Sequence, residues 1–210
     1  MADKTVIYFT SNREEPGFEG RIMRKLEQTA GDIPIVSVSQ KPIELGTNIC
    51  VGESEPSTRN ALNQLLIGAK EAKTRFVCLA ESDFIYPKEY FDFTPASENI
   101  GYLAAPVYVL FAQRGKARLF ARKVGGCDSA MVVGRECLID SLVKALSGEV
   151  VTFLDLLKNM EHSRFLMTVP AVTFKTSQNM HRKTPFSRSS VCRELPGIGN
   201  SADLIKEYMG

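Results

Sequence analysis

The sequence predicts an α/β protein with a Rossmann-type nucleotide-binding sheet, flanking helices and a single domain. Up to residue 83, short runs of β-branched and aromatic residues alternate with segments whose apolar residues recur at helical spacing, in the order β, α, β, α, β. The run from Arg75 to Ala80 is apolar at nearly every position, which is typical of a strand buried on both faces. With 210 residues, 44% of them hydrophobic, the chain is long enough to bury one sizeable core.

Local patterns place the elements that precede this buried strand. Two strands and two helices are predicted, at Thr5–Phe9, Glu19–Ala30, Ile33–Val38 and Ser57–Lys73. Gly31 follows the first helix, where a glycine commonly ends one. Ser57 or Thr58 is the expected N-cap of the second helix, because both side chains can accept a hydrogen bond from the first turn. The alternation predicts a mostly parallel sheet with crossover helices.

Two acidic residues directly follow the buried strand. Glu81 and Asp83 stand in an E-x-D spacing at its carboxyl end. Open α/β sheets bind ligands at the carboxyl ends of their strands, and carboxylate oxygens are ligands that divalent cations prefer. The spacing therefore predicts a divalent-cation site; the alternative is that both acids begin a solvated loop and cap the next segment. The polar loop 10–13, which ends the first strand, is a second candidate ligand-binding edge.

The pattern beyond the acids is less regular. Ile100–Leu110 reads as an apolar strand, and its Pro106 predicts an edge or an irregular position because proline cannot donate a ladder hydrogen bond. The other predictions are a strand, a helix, a helix-like stretch, a last strand and a basic loop, at Ala130–Val133, Arg135–Leu146, Thr152–His162, Phe165–Phe174 and Thr176–Ser190. His162 is expected at the surface.

Composition indicates a protein without membrane segments or disulfide bonds. No run is apolar and long enough to span a bilayer, and the first residues lack the apolar core of a signal peptide. The five cysteines are odd in number, scattered and free of C-x-x-C pairs. We therefore expect reduced thiols, no zinc site and a cytoplasmic location.

Charge differs between the two halves of the chain. Residues 1–110 carry 11 Lys and Arg against 15 Asp and Glu, whereas residues 111–210 carry 15 against 9. An acidic first half suits a metal site, and a basic second half suits phosphates or a polyanionic partner. The basic stretches 114–123 and 182–193 are interleaved with phenylalanines, which favours nucleic-acid contact. The alternatives are a solvated basic face, or Lys183 and Arg188 clamping ligand phosphates.

The sequence lacks the two common phosphate-binding glycine motifs. No G-x-G-x-x-G follows the first strand, and no G-x-x-x-x-G-K-[ST] occurs anywhere. The run ALNQLLIGAKEAKTRFVCLAESD and the Ser57-Thr58-Arg59-Asn60 start of its helix resemble the GT-A glycosyltransferases. Glu81-Ser82-Asp83 matches the metal-binding D-x-D motif of that family in an E-x-D form. The resemblance covers roughly residues 5–183, and it implies a nucleotide-sugar-binding half, 1–95, and an acceptor-binding half, 96–210.

The resemblance also implies roles for particular residues. The implied nucleotide-sugar site comprises Thr10, Asn12, Ser39, Asn48, Arg59, Glu81, Gly126 and Lys183. The implied Mn²⁺ or Mg²⁺ site comprises Glu81, Asp83 and His181; for His181, a phosphate contact or a plain surface position is the alternative. Gly125-Gly126-Cys127-Asp128 is similar to the acceptor-side G-G-x-D motif, which makes Asp128 the expected catalytic base. The alternative is a tight turn that contains an acid.

These residue types suit sugar transfer from a nucleoside diphosphate. A divalent ion stabilises the leaving diphosphate, and a carboxylate accepts the proton of the acceptor hydroxyl. The resemblance implies a glycosyltransferase that uses a nucleoside-diphosphate sugar, with a UDP-sugar as the first expectation. The basic second half favours a polyanionic acceptor such as a 5-hydroxymethylpyrimidine in DNA, as modified by viral DNA glycosyltransferases. The alternatives are a glycan, lipid-linked or protein acceptor, or an inactive nucleotide-sugar-binding protein.

Overall fold

The computed structural model describes residues 3–111, 119–124, 127–178 and 186–210. Its strands are β1 (Lys4–Thr10), β2 (Ile35–Ser39), β3 (Thr47–Cys50), β4 (Phe76–Glu81), β5 (Phe84–Ile85), β6 (Ile100–Phe111), β7 (Leu119–Arg122), β8 (Met131–Gly134), β9 (Glu161–Lys175), β10 (Glu194–Leu195) and β11 (Gly199–Asn200). Its helices are α1 (Pro16–Ala30), α2 (Thr58–Glu71), α3 (Lys88–Asp92), α4 (Arg135–Leu146), α5 (Phe153–Lys158) and α6 (Ser201–Met209). Two 3₁₀ turns span Asp128–Ala130 and Arg188–Ser190.

Nine strands of the described ranges form one mixed sheet. Their order is β3-β2-β1-β4-β8-β6-β9-β5, and β7 pairs with β6. β3, β2, β1 and β4 are parallel to one another. β8 runs antiparallel to both β4 and β6, β9 runs parallel to β6, and β5 runs antiparallel to β9. The parallel arrangement expected from the β-α-β alternation is therefore confirmed for the first half of the chain, and the second half extends the sheet with strands of mixed direction.

The two faces of the central strands pack against different helices. Val6 of β1 belongs to an apolar cluster that contains Leu26 of α1. The next residue, Ile7, belongs to a cluster that contains Leu65 of α2. Successive strand residues point to opposite faces, so a strand covered on both sides is apolar at every position. This explains the continuous apolar run of β4.

β6 is irregular at Pro106. The strand pairs with β8 and β7 on one side and with β9 on the other, so it is not an edge strand. Its register with β9 shifts between Ala105 and Val107, because proline has no N–H to donate to the ladder. The Ala105–Pro106 peptide bond is cis. Of the two alternatives that the sequence left open, the irregular strand is the one observed.

Several elements differ from the sequence predictions. The sequence predicts no strand at β3, which is short and partly exposed and so shows no clear alternation. β9 begins at Glu161, so His162 is an exposed strand residue instead of a helix residue, while α5 ends at Lys158. β9 is not the last strand, because the β10–β11 pair and α6 follow it. α6 was missed although Leu204 and Tyr208 form an apolar face that packs in a cluster with α1.

The helices of the described ranges are short. α1 has 15 residues, and no helix in this part of the chain is long and apolar enough to cross a membrane. All five cysteines are free thiols.

Candidate functional site

The carboxyl ends of β1, β2 and β4 meet the first turn of α2 in a groove. Parallel neighbours end at the same edge of a sheet, which brings Thr10 and Glu81 together at this edge. The described residues that line the groove are Phe9, Thr10, Ser11, Arg13, Glu14, Gln40, Pro56, Ser57, Asn60, Ala61, Gln64, Glu81, Ser82, Asp83 and Gln178. We call it the strand-end groove. Both predicted metal-binding acids of the described chain lie in it.

The strand-end groove continues into two neighbouring cavities. One of them shares Ser11, Arg13 and Gln40 with it, and the other shares Gln40, Asn60 and Gln64. Their volumes are about 380 and 200 Å³, against about 120 Å³ for the groove itself. Small-molecule sites usually have about 300–1,000 Å³, so the groove reaches that size only together with its extensions.

Gln64 fixes the floor of the groove. Its Nε2 donates to the carbonyl oxygens of Thr10 (2.8 Å) and Val38 (3.1 Å), which ties α2 to the ends of β1 and β2. The side chain is 4% exposed, so an amide that lost these bonds would cost about 1–3 kcal/mol. Sequence reasoning missed this residue. The available signal was a polar residue within the buried stripe of a predicted helix.

A buried carboxylate orders Thr10. Thr10 Oγ1 and Tyr8 Oη donate to Glu19 Oε1, at 2.5 and 3.0 Å, and the amide of Asn12 donates to Thr10 Oγ1 at 2.9 Å. Burial raises the pKa of Glu19, although both hydrogen bonds act to lower it. Burial also raises the pKa of Tyr8, and the charge of Glu19 adds to that shift. Thr10 lies in the groove as predicted, with its hydroxyl held by Glu19.

Asn12 connects the loops that follow β1 and β2. Its Oδ1 accepts hydrogen bonds from the amides of Gln40 (2.9 Å) and Lys41 (2.8 Å). Its φ of 50° lies in the left-handed region, which asparagine tolerates better than most residues. Asn12 lines one extension of the groove. Its amide oxygen is therefore used to shape the site.

Ser39 and Asn48 contact each other instead of lining the groove. Asn48 Nδ2 donates to the hydroxyls of Ser37 and Ser39, both at 2.9 Å, and Asn48 Oδ1 accepts from the amide of Ile43. Ser39 is fully buried. Neither residue is among the described residues that line the groove or its extensions. The structure thus gives this pair a role in joining β2 to β3, and its nucleotide contact stays a prediction.

Arg59 also points away from the groove. Its guanidinium donates to the carbonyl oxygens of Leu146 (2.8 Å), the last residue of α4, and of Gly148 (2.6 Å) and Glu149 (3.1 Å), which follow the helix. The last carbonyls of a helix have no partner within it, and a cation binds them well. In this structure Arg59 therefore stabilises the end of α4, and its nucleotide-sugar contact stays a prediction. Its neighbours Ser57 and Asn60 do line the groove, and Ser57 Oγ caps α2 by accepting from the amide of Asn60 at 3.1 Å.

The two acids stand at the point where β4 turns into β5. Glu81 is the last residue of β4, and Ser82 and Asp83 form the turn. Both carboxylates are partly buried. The turn is held from both sides, since the amide of Phe174 donates to the Asp83 carbonyl (2.8 Å) and the amide of Glu81 donates to Tyr86 Oη (3.1 Å).

Tyr86 connects this turn to the segment of the predicted base. Its hydroxyl donates to the carbonyl oxygen of Ser129 at 2.7 Å, within the 3₁₀ turn that begins at Asp128. Burial raises the pKa of Tyr86 far above its ordinary value, so the hydroxyl keeps the proton that it donates. Tyr86 thereby links Glu81 to the residue that follows Asp128.

Lys123 is a charged neighbour that sequence reasoning did not single out. Its Nζ donates to Cys127 Sγ at 3.0 Å. Burial acts to lower the pKa of the ammonium, but Cys127, Asp128 and Glu81 more than offset this, so the pKa of Lys123 lies above its ordinary value. Burial raises the pKa of the Cys127 thiol. At neutral pH Lys123 is therefore a cation that donates to a neutral thiol.

Several predicted site residues lie outside the described residues: Gly126, Lys183 and His181. Among the residues that are described, no group of three or more His, Cys, Asp or Glu side chains could hold a metal ion. The two carboxylates of Glu81 and Asp83 still suit a Mn²⁺ or Mg²⁺ ion whose other ligands are not protein side chains. Mg²⁺ is usually held by one or two carboxylates together with substrate phosphates and water, which requires no third protein ligand.

Comparisons with known proteins agree on the fold alone. No protein-family model matches the chain, and no curated protein matches its sequence. Among solved structures, the bifunctional IspDF from Campylobacter jejuni is similar with 12% identity and a TM-score of 0.50, over 87% of this chain and 55% of that chain. Residues 1–349 of S. aureus TarS are similar with 15% identity and a TM-score of 0.50, over 82% of this chain and 60% of that chain.

A second structure of TarS contains UDP-GlcNAc. It is similar with 15% identity and a TM-score of 0.51, over 83% of this chain and 59% of that chain. This chain spans less than two thirds of the length of each of these proteins. At such identities the likeness shows the fold alone: the chain has a GT-A-like fold, with a mixed central sheet flanked by helices.

Proposed function

We propose that the protein is a metal-dependent glycosyltransferase that moves a sugar from a nucleoside-diphosphate sugar, in first place a UDP-sugar, to an acceptor hydroxyl. The observation that carries the proposal is that Glu81 and Asp83 lie together in the strand-end groove, while Tyr86 joins the amide of Glu81 to the carbonyl of Ser129, the residue after Asp128. The UDP-GlcNAc bound to a protein of similar fold supports the choice of donor.

Asp83 and Glu81 are the residues that would hold Mn²⁺ or Mg²⁺. Both side chains offer hard oxygen ligands at the carboxyl end of β4. The bound ion would stabilise the negative charge of the leaving diphosphate. Ser57 and Asn60, at the positive N-terminal end of α2, line the same groove and would face the phosphates. His181 stays part of this proposal as a third ligand.

Asp128 would act as the base. An acceptor hydroxyl is a poor nucleophile until a carboxylate accepts its proton, and such assistance is worth about 10²–10⁴ in rate. Asp128 is only partly buried, so an acceptor can reach it. Lys123, which lies near both Asp128 and Glu81, would balance the negative charge that these acids bring together.

We propose a 5-hydroxymethylpyrimidine in DNA as the first acceptor to test. The net positive charge of the second half suits a polyanion, and an enzyme acting on a base would flip it out of the stack or meet it unpaired. Transfer to hydroxymethylated but not to plain DNA is the expected result. If the protein binds neither DNA at low salt, this acceptor is wrong, and a glycan, lipid-linked or protein acceptor takes its place.

A donor panel tests the activity itself. The protein is incubated with UDP- and GDP-sugars and Mn²⁺, and release of the nucleoside diphosphate is followed with and without a chelator. We expect slow, metal-dependent hydrolysis of one donor. Binding of a donor without any turnover, with or without acceptors, would favour the inactive nucleotide-sugar-binding protein. Neither hydrolysis nor binding with any donor would contradict the proposal.

A further inference from the structure

A second concave site lies beside β6. It is lined by Ala104–Val107 of β6, by Arg122, Lys123 and Val124, by Arg164 of β9, and by Ser187, Ser189 and Ser190. We call it the β6 cavity. Its volume of about 340 Å³ lies within the usual range of about 300–1,000 Å³ for ligand sites. It shares no described lining residue with the strand-end groove.

The irregular part of β6 lines this cavity. While β6 advances from Ala105 to Val107, its partner β9 runs from Leu166 to Ala171, so β9 bulges opposite Pro106. Such bulges commonly occur beside functional sites, where they redirect side chains. On the opposite side, the amide of Lys123 donates to the carbonyl of Val107 at 2.8 Å and holds the cationic segment against the gap.

A serine-rich turn forms the rim. The amide of Arg122 donates to Ser190 Oγ at 3.1 Å, and the amide of Ser187 donates to the carbonyl of Arg122 at 2.9 Å. The hydroxyls of Ser187 and Ser189 lie 2.8 Å apart. These bonds fix the turn to the end of β7. The hydroxyls of Ser187, Ser189 and Ser190 therefore lie in the lining of the cavity together with Arg122.

The two arginines of the β6 cavity form no ion pair within the described part of the chain. Arg122 and Arg164 are exposed, and neither forms an ion pair with a described residue. Arginines at other positions do so, such as Arg75 with Glu98 at 2.6 Å. Two guanidinium groups and several hydroxyls around one concave site offer the donors that phosphate oxygens prefer.

We propose that the β6 cavity binds a phosphate group carried by the acceptor, with Arg122 and Arg164 as its charged contacts. Lys123 lines the cavity and donates to Cys127, the residue before Asp128, so the cavity and the proposed base are joined through neighbouring residues of the chain. The acceptor role rests on the proposed glycosyltransferase activity, whereas phosphate binding does not. The phosphate can belong to a DNA strand or to a small phosphomonoester.

The experiment measures binding to three probes: inorganic phosphate, glucose 6-phosphate, and a single-stranded oligonucleotide that contains 5-hydroxymethylcytosine. The variants are Arg122→Gln, Arg164→Gln and the double variant, with Arg193→Gln as a control, because Arg193 is exposed in the same half but does not line the cavity. We expect each cavity variant to weaken binding about tenfold and, for the oligonucleotide, to reduce the slope of log K against log salt by about 0.7 per lost contact.

The pattern over the probes identifies the source of the phosphate. Tightest binding of the oligonucleotide assigns the cavity to a DNA strand, and tightest binding of glucose 6-phosphate assigns it to a small phosphomonoester. If the double variant binds all probes as the wild type does, or if the wild type binds none, the proposal is overturned. Donor binding, followed in parallel, should be unchanged in the arginine variants, and its absence in the wild type would contradict the glycosyltransferase activity without affecting the phosphate site.

Discussion

Around the strand-end groove, polar side chains bind mostly one another, whereas the arginines around the β6 cavity have no ion-pair partner among the described residues. Thr10 is held by Glu19, Asn12 holds the loop after β2, and Gln64 holds two strand ends. Such bonds fix the shape of the groove before a ligand arrives. Arg122 and Arg164 keep their charge for a ligand. The difference shows that hydrogen bonds within the first half fix the shape of the strand-end groove, whereas the second half contributes positive charge at the β6 cavity.

Replacing the base should have the largest effect on turnover. Asp128→Asn keeps the shape of the side chain but cannot accept a proton, so we expect kcat to fall about 10²–10⁴-fold while donor affinity stays unchanged. Rate and donor binding are measured separately, with the exposed Asp140→Asn on α4 as the control. Transfer at the wild-type rate would show that the base lies elsewhere or that the reaction needs none.

Replacing Arg59 shows whether its side chain stabilises the fold or contacts the donor. Arg59→Ala removes the donors to three carbonyls at and beyond the last residue of α4, and we expect it to lower the free energy of unfolding by about 2 kcal/mol. The Tm would then fall by roughly 4–8 °C, whereas donor affinity of the folded protein would not change. Arg24→Ala, on the exposed face of α1, is the control. A loss of donor affinity without a loss of stability would restore Arg59 to the nucleotide-sugar site.

The sequence predicted the first half well because its elements are long and strongly periodic. The buried strand β4, the two helices and the position of Glu81 and Asp83 at a sheet edge all follow from local pattern. Local pattern does not predict, however, which neighbour each side chain contacts. Arg59 and Ser57 are adjacent to a helix start, yet one faces α4 and the other the groove.

In the second half, the decisive contacts join segments that are distant in the chain. The amide of Arg122 donates to Ser190 Oγ, and Arg164 lines one cavity with Ser187, Ser189 and Ser190, only because the order of strands places these segments together. Local periodicity does not predict contacts between segments so distant in the chain. The Pro106 irregularity was visible in the sequence, but the cavity beside it was not.

Removing the N-cap of α2 should lower the free energy of unfolding by less than Arg59→Ala does. Ser57 Oγ accepts from the amide of Asn60, and Ser57→Ala should lower the free energy of unfolding by about 1 kcal/mol. Ser57→Asn, which can also cap a helix, should restore most of it. Urea denaturation of the three proteins provides the measurement. Equal stability of the alanine and asparagine variants would contradict the capping role.

The smallest expected effect on stability is the pH dependence that ionisation of Glu19 causes. Because its pKa is raised in the folded protein, its contribution to stability is fully present below the ordinary value of 4.5 and is lost as pH rises through the folded pKa. Glu19→Gln keeps an oxygen that accepts from Thr10 and Tyr8 but does not titrate. We therefore expect this variant to be more stable relative to the wild type at pH 8 than at pH 4.5.

Denaturation at both pH values, with the exposed Glu27→Gln of α1 as the control, checks this sign. A relative stability of Glu19→Gln that falls as pH rises would contradict the account of a buried carboxylate beneath Thr10.

The central claim is that the acidic turn after β4 binds a donor through a metal ion, and calorimetric titration of a UDP-sugar with and without Mn²⁺ tests it most directly. We expect Mn²⁺-dependent binding by the wild type and by the exposed control Asp92→Asn, about 10–100-fold weaker binding by Glu81→Gln, and no metal-dependent binding by Asp83→Asn. Full Mn²⁺-dependent donor affinity in Asp83→Asn would contradict the claim.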